Sequence, residues 1–340
     1  MAYTTINKST DYFNTKLYTG TGAENAVTGV GFQPDWVWIK NASSGSNYDH
    51  TLYDAVRGAT KQLYSNHTNG QYTEAQGLKS FDSDGFTNGT DAKGNSNGST
   101  LVSWNWKANG QGSSNTDGSI TSTVSANTTS GFSIVSFNGQ TGTVGHGLGV
   151  KPSMIILKCI AVSNNWVIQH KGLTGGMDEN ALIFTTSAEI GAVTAEPTTS
   201  VFTVNNQIAE NNDNIAYCFA EKTGFSKFGS YVGNGNADGA FVYTGFKPAF
   251  IMLKKTSGTG DWFINDIKRN TFNVVNSQLY PNLNAAEEDT NATQLDILSN
   301  GFKLRGTTSN ALNSGSDTYI FMAFAEAPLV SSNGVPAVAR

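Results

Sequence analysis

The chain has 340 residues, of which 38% are apolar and 11% aromatic, enough for two or three domains with real cores. Only 14% are charged, against roughly 25% in an average soluble protein, so the polar surface falls to Gly, Ser, Thr and Asn. A net charge of −5 argues against a nucleic-acid binder, which needs a basic face to release counterions. There is no apolar run of about 18 residues, so no membrane span is expected. Met1-Ala-Tyr-Thr-Thr-Ile lacks the basic-then-apolar order of a signal peptide.

The first elements introduce a pattern that occurs three times. Copy 1 opens with an aromatic-rich strand from Phe13 to Tyr18 and a turn at Gly20-Thr-Gly22. Gly31-Phe32-Gln33-Pro34 follows, then the apolar run Trp36-Val-Trp-Ile39, Lys40 six residues after the Pro, and Tyr48 eight residues after the Lys. Copy 2 repeats this with Phe132, Phe137, Pro152, Met154–Leu157, Lys158 and Trp166. Copy 3 does so with Phe225, Tyr231, Pro248, Phe250–Leu253, Lys254 and Trp262. Phe132-Ser-Ile-Val-Ser-Phe137 alternates with period 2, the mark of a strand. A continuous apolar run predicts a strand buried on both faces, and Pro at its start costs no ladder bond. The opening aromatics stand five apart in copies 1 and 2 and six apart in copy 3, which predicts a β-bulge near Gly229. A hairpin then leads to Trp166-Val-Ile168 and Trp262-Phe-Ile264.

In the second halves, Ser83-Asp-Gly-Phe86 and Ser299-Asn-Gly-Phe302 read as turns feeding strands, and copy 2 offers Ser200–Val204. The closing strands are Leu101–Trp106, Ile215–Phe219 and Tyr319–Phe324. Helix signals are few: Asp54–Tyr64 for a turn or two, and Asn284–Asp289 for another, both too short to stand alone.

These elements predict an all-β fold of three tandem antiparallel β-sandwich, jelly-roll-like domains with little helix. The divisions are 1–110 with an N-terminal arm, a polar linker at 111–130, then 131–223, 224–328 and a C-terminal tail at 329–340. The linker reads either as a flexible tether or, given the spaced Ile120 and Val124, as an extended strand crossing to a neighbouring subunit. Only Lys222-Thr-Gly224 joins copies 2 and 3, which fixes their orientation.

No catalytic, cofactor or metal residues stand out, and the binding residues are unknown. Cys159 and Cys218 are too few for a disulfide framework; they fall on two strands of repeat 2 that could bring them face to face, and read as buried free thiols. His50, His67, His146 and His170 share no metal spacing, and His146 reads as a turn histidine. Asp82-Ser-Asp84-Gly begins like a calcium loop but lacks the later bidentate Glu. It reads as turn chemistry, as do Asp117-Gly and Asn95-Ser-Asn97-Gly. Glu287, Glu288 and Asp289 form an acidic cluster of the kind a glycosidase needs, yet copies 1 and 2 lack it, so a solvated loop is expected. Trp36, Trp38, Trp104, Trp106, Trp166 and Trp262 are candidate sugar platforms, but both members of a Trp-x-Trp pair share a face and read as core. Sequons such as Asn41-Ala-Ser43 and Asn291-Ala-Thr293 arise by chance in so Asn-rich a chain.

Met1 to Gly20, Gly31-Phe-Gln-Pro-Asp-Trp-Val-Trp-Ile-Lys40, Asp54-Ala-Val-Arg-Gly-Ala-Thr60 and Thr143-Val-Gly-His-Gly-Leu-Gly149 resemble a repeat family in virion proteins of marine tailed phages of the cyanobacterial type. Members are labelled tail fibre or structural proteins. The resemblance implies a non-enzymatic virion component, made in the host cytoplasm and carried on an extracellular particle. The leading expectation is a tail fibre or tail-associated protein that attaches to the host surface. A capsid decoration or vertex protein is the alternative, and a polysaccharide depolymerase the third. Expected partners are other virion proteins, further copies of the chain (a trimer) and a host surface glycan or receptor, with neither nucleic acid nor membrane insertion. Recognition is expected in the loops after Lys40, Lys158 and Lys254 and in the long second halves.

Overall fold

Strand formation follows the sequence pattern closely in the computed structural model, which describes residues 4–326 apart from 44, 46, 193, 290–293 and 307–310. In the first repeat the opening strand Phe13–Thr19 pairs with the closing strand Thr100–Trp106. That strand pairs with the central strand Trp36–Asn41, which pairs in turn with the hairpin strand Thr51–Asp54, all antiparallel. The second repeat has the same order in Phe132–Asn138, Asp213–Phe219, Met154–Cys159 and Trp166–His170. The third has it in Ser226–Val232, Thr318–Ala325, Pro248–Lys255 and Trp262–Asp266. A smaller antiparallel sheet covers one face of each: Asn25–Thr28 with Gly85–Asn88 and Leu78–Asp82, Gly142–Gly145 with Val201–Val204, and Phe241–Tyr243 with Gly301–Leu304 and Leu295–Leu298. Each repeat is thus a β-sandwich.

Period-2 alternation explains why the central strands are apolar throughout. Val37 and Ile39 face the first repeat's own core, Ile155 and Leu157 the second's, and Ile251 and Leu253 the third's. The alternate residues Trp36 and Trp38, Met154 and Ile156, Phe250 and Met252 all enter a single further core common to the three repeats. The closing strands contribute Trp104 and Trp106, Tyr217 and Phe219, Met322 and Phe324 to it. The three large sheets therefore enclose one shared aromatic core, and each repeat touches both others. Trp36 stacks on Tyr217 at 4.4 Å, Phe13 on Phe324 at 4.8 Å, and Phe219 lies 6.0 Å from Phe228.

Several local readings change. The segment 111–130 carries two strands, Ser113–Asn115 and Ser122–Asn127, and the second pairs along the whole opening strand of repeat 2. Ser113–Asn115 is the edge of that sheet and Ser122–Asn127 the next strand in; a low apolar content does not make the segment a tether, because pairing at the margin of a sheet needs few apolar residues. No bulge lies near Gly229: the pairing from Ser226–Phe324 to Val232–Thr318 is unbroken. Ser226 occupies the place of Phe13 and Phe132, and Phe225 and Phe228 supply the rings on either side. The irregularity of that sheet lies instead between Pro248 and Phe250.

Asp54–Tyr64 turns once and then forms the strand Lys61–Tyr64, and Asn284–Asp289 is extended. Neither is helical, because their apolar residues are needed on sheet faces. The tail 329–340 and the sequon at Asn291 lie outside the described residues.

The first repeat's hairpin loop is longer than the others. Lys158 pairs with Trp166 and Lys254 with Trp262, whereas extending the Ile39–Thr51 register by one places Lys40 beside His50, not Tyr48. His50 therefore takes the position of the two tryptophans.

His170 is fully buried. Burial holds its pKa down at about 3, and the Phe321 carbonyl at 3.2 Å from Nε2 only partly offsets this. A histidine kept neutral in the fold and protonated when unfolded removes stability as pH falls below the ordinary value of 6.5. At pH 5 the loss from His170 is expected to be about 2 kcal/mol, read as a flattened acid limb of a Tm–pH curve in His170→Gln.

Candidate functional site

Alternation carries Lys40, Lys158 and Lys254 onto the faces that hold Trp38, Ile156 and Met252, so three fully buried ammonium groups arrive at one end of the shared core. Each donates to a carbonyl of its own hairpin loop and to one of a neighbouring repeat. Lys40 Nζ donates to Tyr48 and, at 2.9 Å, to Asn284 in repeat 3. Lys158 Nζ donates to Asn164 at 2.5 Å and to Thr68 in repeat 1 at 2.7 Å. Lys254 Nζ donates to Gly260 at 2.5 Å and to Thr186 in repeat 2 at 3.2 Å. Repeat 1 thus reaches repeat 3, repeat 2 reaches repeat 1, and repeat 3 reaches repeat 2: a closed quasi-threefold ring.

These lysines form no ion pair among the described residues. Burial lowers the pKa of each to about 8, only partly opposed by Asp49 near Lys40, Cys159 near Lys158 and Asp261 near Lys254. The sign follows directly. Above pH 8 the folded lysines shed protons that the unfolded chain keeps until 10.5, so stability rises with pH across that window. The gain between pH 8 and 9.5 is expected to be on the order of 1 kcal/mol per lysine. Above pH 10 it is overtaken by buried tyrosines such as Tyr53, Tyr217 and Tyr231, whose pKa values burial raises well above the usual 10. Denaturant titrations across this range should show the rise in the native chain and a flat response in K40M/K158M/K254M.

A second tier repeats the cyclic order. Trp166 Nε1 donates to Tyr64 O and Trp262 Nε1 to Ile183 O, both at 2.8 Å. In repeat 1, His50 Nδ1 accepts from Trp38 Nε1 at 2.9 Å, which assigns the ring proton to Nε2. Burial, then the Lys40 charge, hold its pKa well below 6.5, while the Tyr280 backbone opposes them. Nε2 nevertheless closes no hydrogen bond of good geometry.

Deeper between the sheets lie two Asp-x-x-Arg pairs. Arg57 Nε bonds Asp54 Oδ2 at 2.5 Å, and the same oxygen accepts from Tyr217 OH of repeat 2 at 2.8 Å. Arg269 Nε bonds Asp266 Oδ2 at 2.6 Å, and that oxygen accepts from Trp104 Nε1 of repeat 1 at 3.2 Å. Burial opposes the charge on both guanidiniums, and the partner carboxylates outweigh it. In repeat 2 the same register positions hold His170 and Leu173.

The described lysine-end loops surround a depression of about 280 Å³ between all three repeats. Its walls include Asn66, His67, Thr68, Asn165, Thr186 and Asn282. Asp49 Oδ1 accepts from Asn66 Nδ2 and stands 2.8 Å from His67 Nε2, and Asp261 Oδ1 accepts from Asn282 Nδ2 at 2.7 Å. The rim is therefore rich in neutral donors and acceptors, held in place by carboxylates already engaged. Its size is near the lower end of small-ligand pockets, roughly 300 Å³ upward.

The residues singled out from sequence are placed as follows. All six tryptophans are at most 2% exposed, so none offers a face for sugar stacking. Asp84 accepts from Gly29 N at 2.9 Å and Gly31 N at 2.6 Å, which is turn chemistry. His146 bonds within its own turn, accepting from Leu148 N at 3.2 Å. Cys159 and Cys218 are buried free thiols; Cys218 pairs with Ile155, not Cys159. The acidic cluster is not merely solvated. Glu287 bonds the buried Arg269 at 2.8 Å, Glu288 accepts from Tyr280 OH and Asp289 from Ser277 Oγ. Among the described residues no three His, Cys, Asp or Glu side chains gather as a metal site.

Sequence reasoning missed the two Asp-x-x-Arg pairs, although their equal spacing is visible. It placed Asn95 in turn chemistry without seeing its burial and missed its counterpart Asn313; they stand 11 residues before Trp106 and Phe324. Both are fully buried and tie turns together through both ends of the amide: Asn95 Oδ1 accepts from Thr21 N while Nδ2 donates to Gly89 O, and Asn313 Oδ1 accepts from Asn234 N while Nδ2 donates to Asn236 O.

A family model described as a domain of unknown function (DUF7483) matches residues 8–328. No curated protein and no solved structure matches the chain.

Proposed function

The chain belongs to the DUF7483 family. We propose that it is a non-enzymatic virion protein of a tailed phage, a tail fibre or tail-associated protein that engages the host surface. The observation that carries this reading is the gathering of loops from all three repeats at the lysine end of a rigid ring, 65–68, 184–186 and 282–283 with Asn165 of one hairpin loop, around a depression rich in amides and hydroxyls. Neutral amides and hydroxyls on a scaffold held by a shared core suit repeated contact with an uncharged, hydroxyl-rich surface such as a glycan. The resemblance in Gly31–Lys40 and Thr143–Gly149 to marine phage virion repeats points the same way.

Purified protein at saturation should block phage adsorption, and N165A/T186A should weaken the block while leaving Tm unchanged. Unimpaired adsorption would sink the proposal. No reducing sugar should be released from host envelope. Homo-oligomerisation, a trimer on the sequence-based reading, belongs to the same proposal, and a solution mass of 36.1 kDa would overturn that part.

The quasi-threefold ring favours a second reading, capsid decoration, because such a chain can occupy a threefold lattice position as a single copy. Copy number per particle separates the two: decoration requires many copies on the head, whereas a fibre requires few on the tail.

A further inference from the structure

We propose that the depression at the lysine end seats the acetamido group of an N-acetylated amino sugar against repeat 2. The inference deepens the glycan reading above and rests on it for the choice of a sugar as the carrier of that group.

Repeats 1 and 3 show what the place takes. In repeat 1, His50 N donates to Asn66 Oδ1 at 3.1 Å, and Asn66 Nδ2 donates to Asp49 Oδ1 at 2.8 Å. In repeat 3, Trp262 N donates to Asn282 Oδ1 at 2.9 Å, and Asn282 Nδ2 donates to Asp261 Oδ1 at 2.7 Å. Each is one carboxamide clamped between a strand-end N–H and the acid just before it. Register fixes the counterparts in repeat 2. Trp166 pairs with Lys158 as Trp262 does with Lys254, and Asn165 precedes it. Thr185 stands two residues after Ile183, as Asn66 does after Tyr64 and Asn282 after Tyr280.

Neither partner of the clamp is kept in repeat 2. Thr185 Oγ1 turns to Ser187, donating to its Oγ at 3.1 Å and accepting from its N–H at 3.2 Å. Asn165 replaces the acid; it is exposed, and among the described residues its side chain makes no hydrogen bond. Trp166 lies one residue beyond the last pair of its strand with Asn180–Ile183, which is Val167–Ile183. Its backbone N–H meets no acceptor among the described residues. A backbone donor and a free amide therefore stand together where the other repeats hold a carboxamide, and both residues line the depression.

The chemistry of the place selects the occupant. Trp166 N–H calls for an acceptor oxygen, because a backbone donor removed from water without a partner is costly. The Asn165 amide accepts or donates. Phe184 and Leu283 add apolar wall, Leu283 being 38% exposed. An acetamido group meets all three: its carbonyl accepts from Trp166 N–H, its N–H donates to Asn165 Oδ1, and its methyl covers Phe184 and Leu283. A carboxylate brings no methyl and no donor, and it finds Lys158 Nζ already committed to the carbonyls of Asn164 and Thr68. At about 280 Å³ the depression suits one sugar residue rather than a length of chain.

N-acetylglucosamine, glucose and glucuronate are titrated into the full chain and followed by NMR at the Trp166 backbone amide and the Asn165 side chain. N-acetylglucosamine should shift both resonances and bind about tenfold tighter than glucose, the discrimination that one hydrogen bond and one covered methyl supply. N165D/T185N builds the clamp of repeats 1 and 3 into repeat 2, and should abolish the response at Trp166 without lowering Tm. Asn165→Ala, at an exposed position, should weaken binding several-fold and serves if the double variant does not fold. Equal binding of glucose, tighter binding of glucuronate, no response to N-acetylglucosamine, or full binding by the folded double variant each overturns the inference. Blocked phage adsorption with no response to N-acetylglucosamine defeats this inference alone. A Trp166 response without blocked adsorption defeats the host-attachment reading and leaves the site.

Discussion

Asp54→Ala will lower stability by about 3–5 kcal/mol, the cost of leaving a buried cation without its partner. Arg57 and Asp54 are both buried, with side chains 2% and 0% exposed. Without the carboxylate, Arg57 keeps only neutral acceptors: the carbonyls of Leu52 and Lys61, the amide oxygen of Gln71 and the hydroxyl of Tyr217. Tyr217 loses its acceptor across the repeat boundary as well. Asp266→Ala should cost less, because Glu287 still meets Arg269 at 2.8 Å.

The chain already contains the control, since repeat 2 places His170 and Leu173 at these positions. D54L/R57L should therefore recover most of the loss, as buried ion pairs often exchange for apolar packing at little net cost. Urea titration of the single and double variants measures both. A loss below 1 kcal/mol in Asp54→Ala, or a double variant no better than the single, would contradict the assignment.

Trp36→Ala will cost about 3–5 kcal/mol and lower the stability of all three repeats together. Trp36 is completely buried and lies 4.5 Å from Trp106 and 5.8 Å from Phe132, besides its stack on Tyr217. Its indole N–H has no hydrogen-bond partner, so the loss is packing. Because repeats 1, 2 and 3 share this core, none can unfold without exposing the others' aromatic faces. Calorimetry should show a single transition, with calorimetric and van't Hoff enthalpies equal in native and variant chains. Three separable transitions, or a loss confined to repeat 1, would falsify the shared-core account.

Much of the single repeat was legible. The opening, central, hairpin and closing strands follow from alternation and turn residues within about 100 residues of each other. Errors arose where local pattern and partner disagreed. Counting from the lysine matches Tyr48 to Trp166, but the longer loop lets His50 take the place, because register is set by pairing and not by spacing. For Ser122–Asn127 the sequence leaves a tether or a strand crossing to a neighbouring subunit open; it is a strand, but it pairs with repeat 2 of its own chain, and covering an edge needs few apolar residues. Of the candidate site, the sequence points to the loops after Lys40, Lys158 and Lys254 and to the second halves, and it is mainly the second halves, at 65–68, 184–186 and 282–283, that line the depression.

By itself the sequence determined the module, its three copies and the two-faced burial of Trp36–Ile39 and its counterparts, since side-chain direction along a strand is local. Only the tertiary structure decided what lies against the second face. The shared core, the Asp54–Tyr217 contact and the carbonyls that receive Lys40, Lys158 and Lys254 join residues 163, 244, 90 and 68 positions apart. A buried lysine reads the same in sequence whatever carbonyl it meets, because that acceptor is backbone and leaves no mark on residue identity.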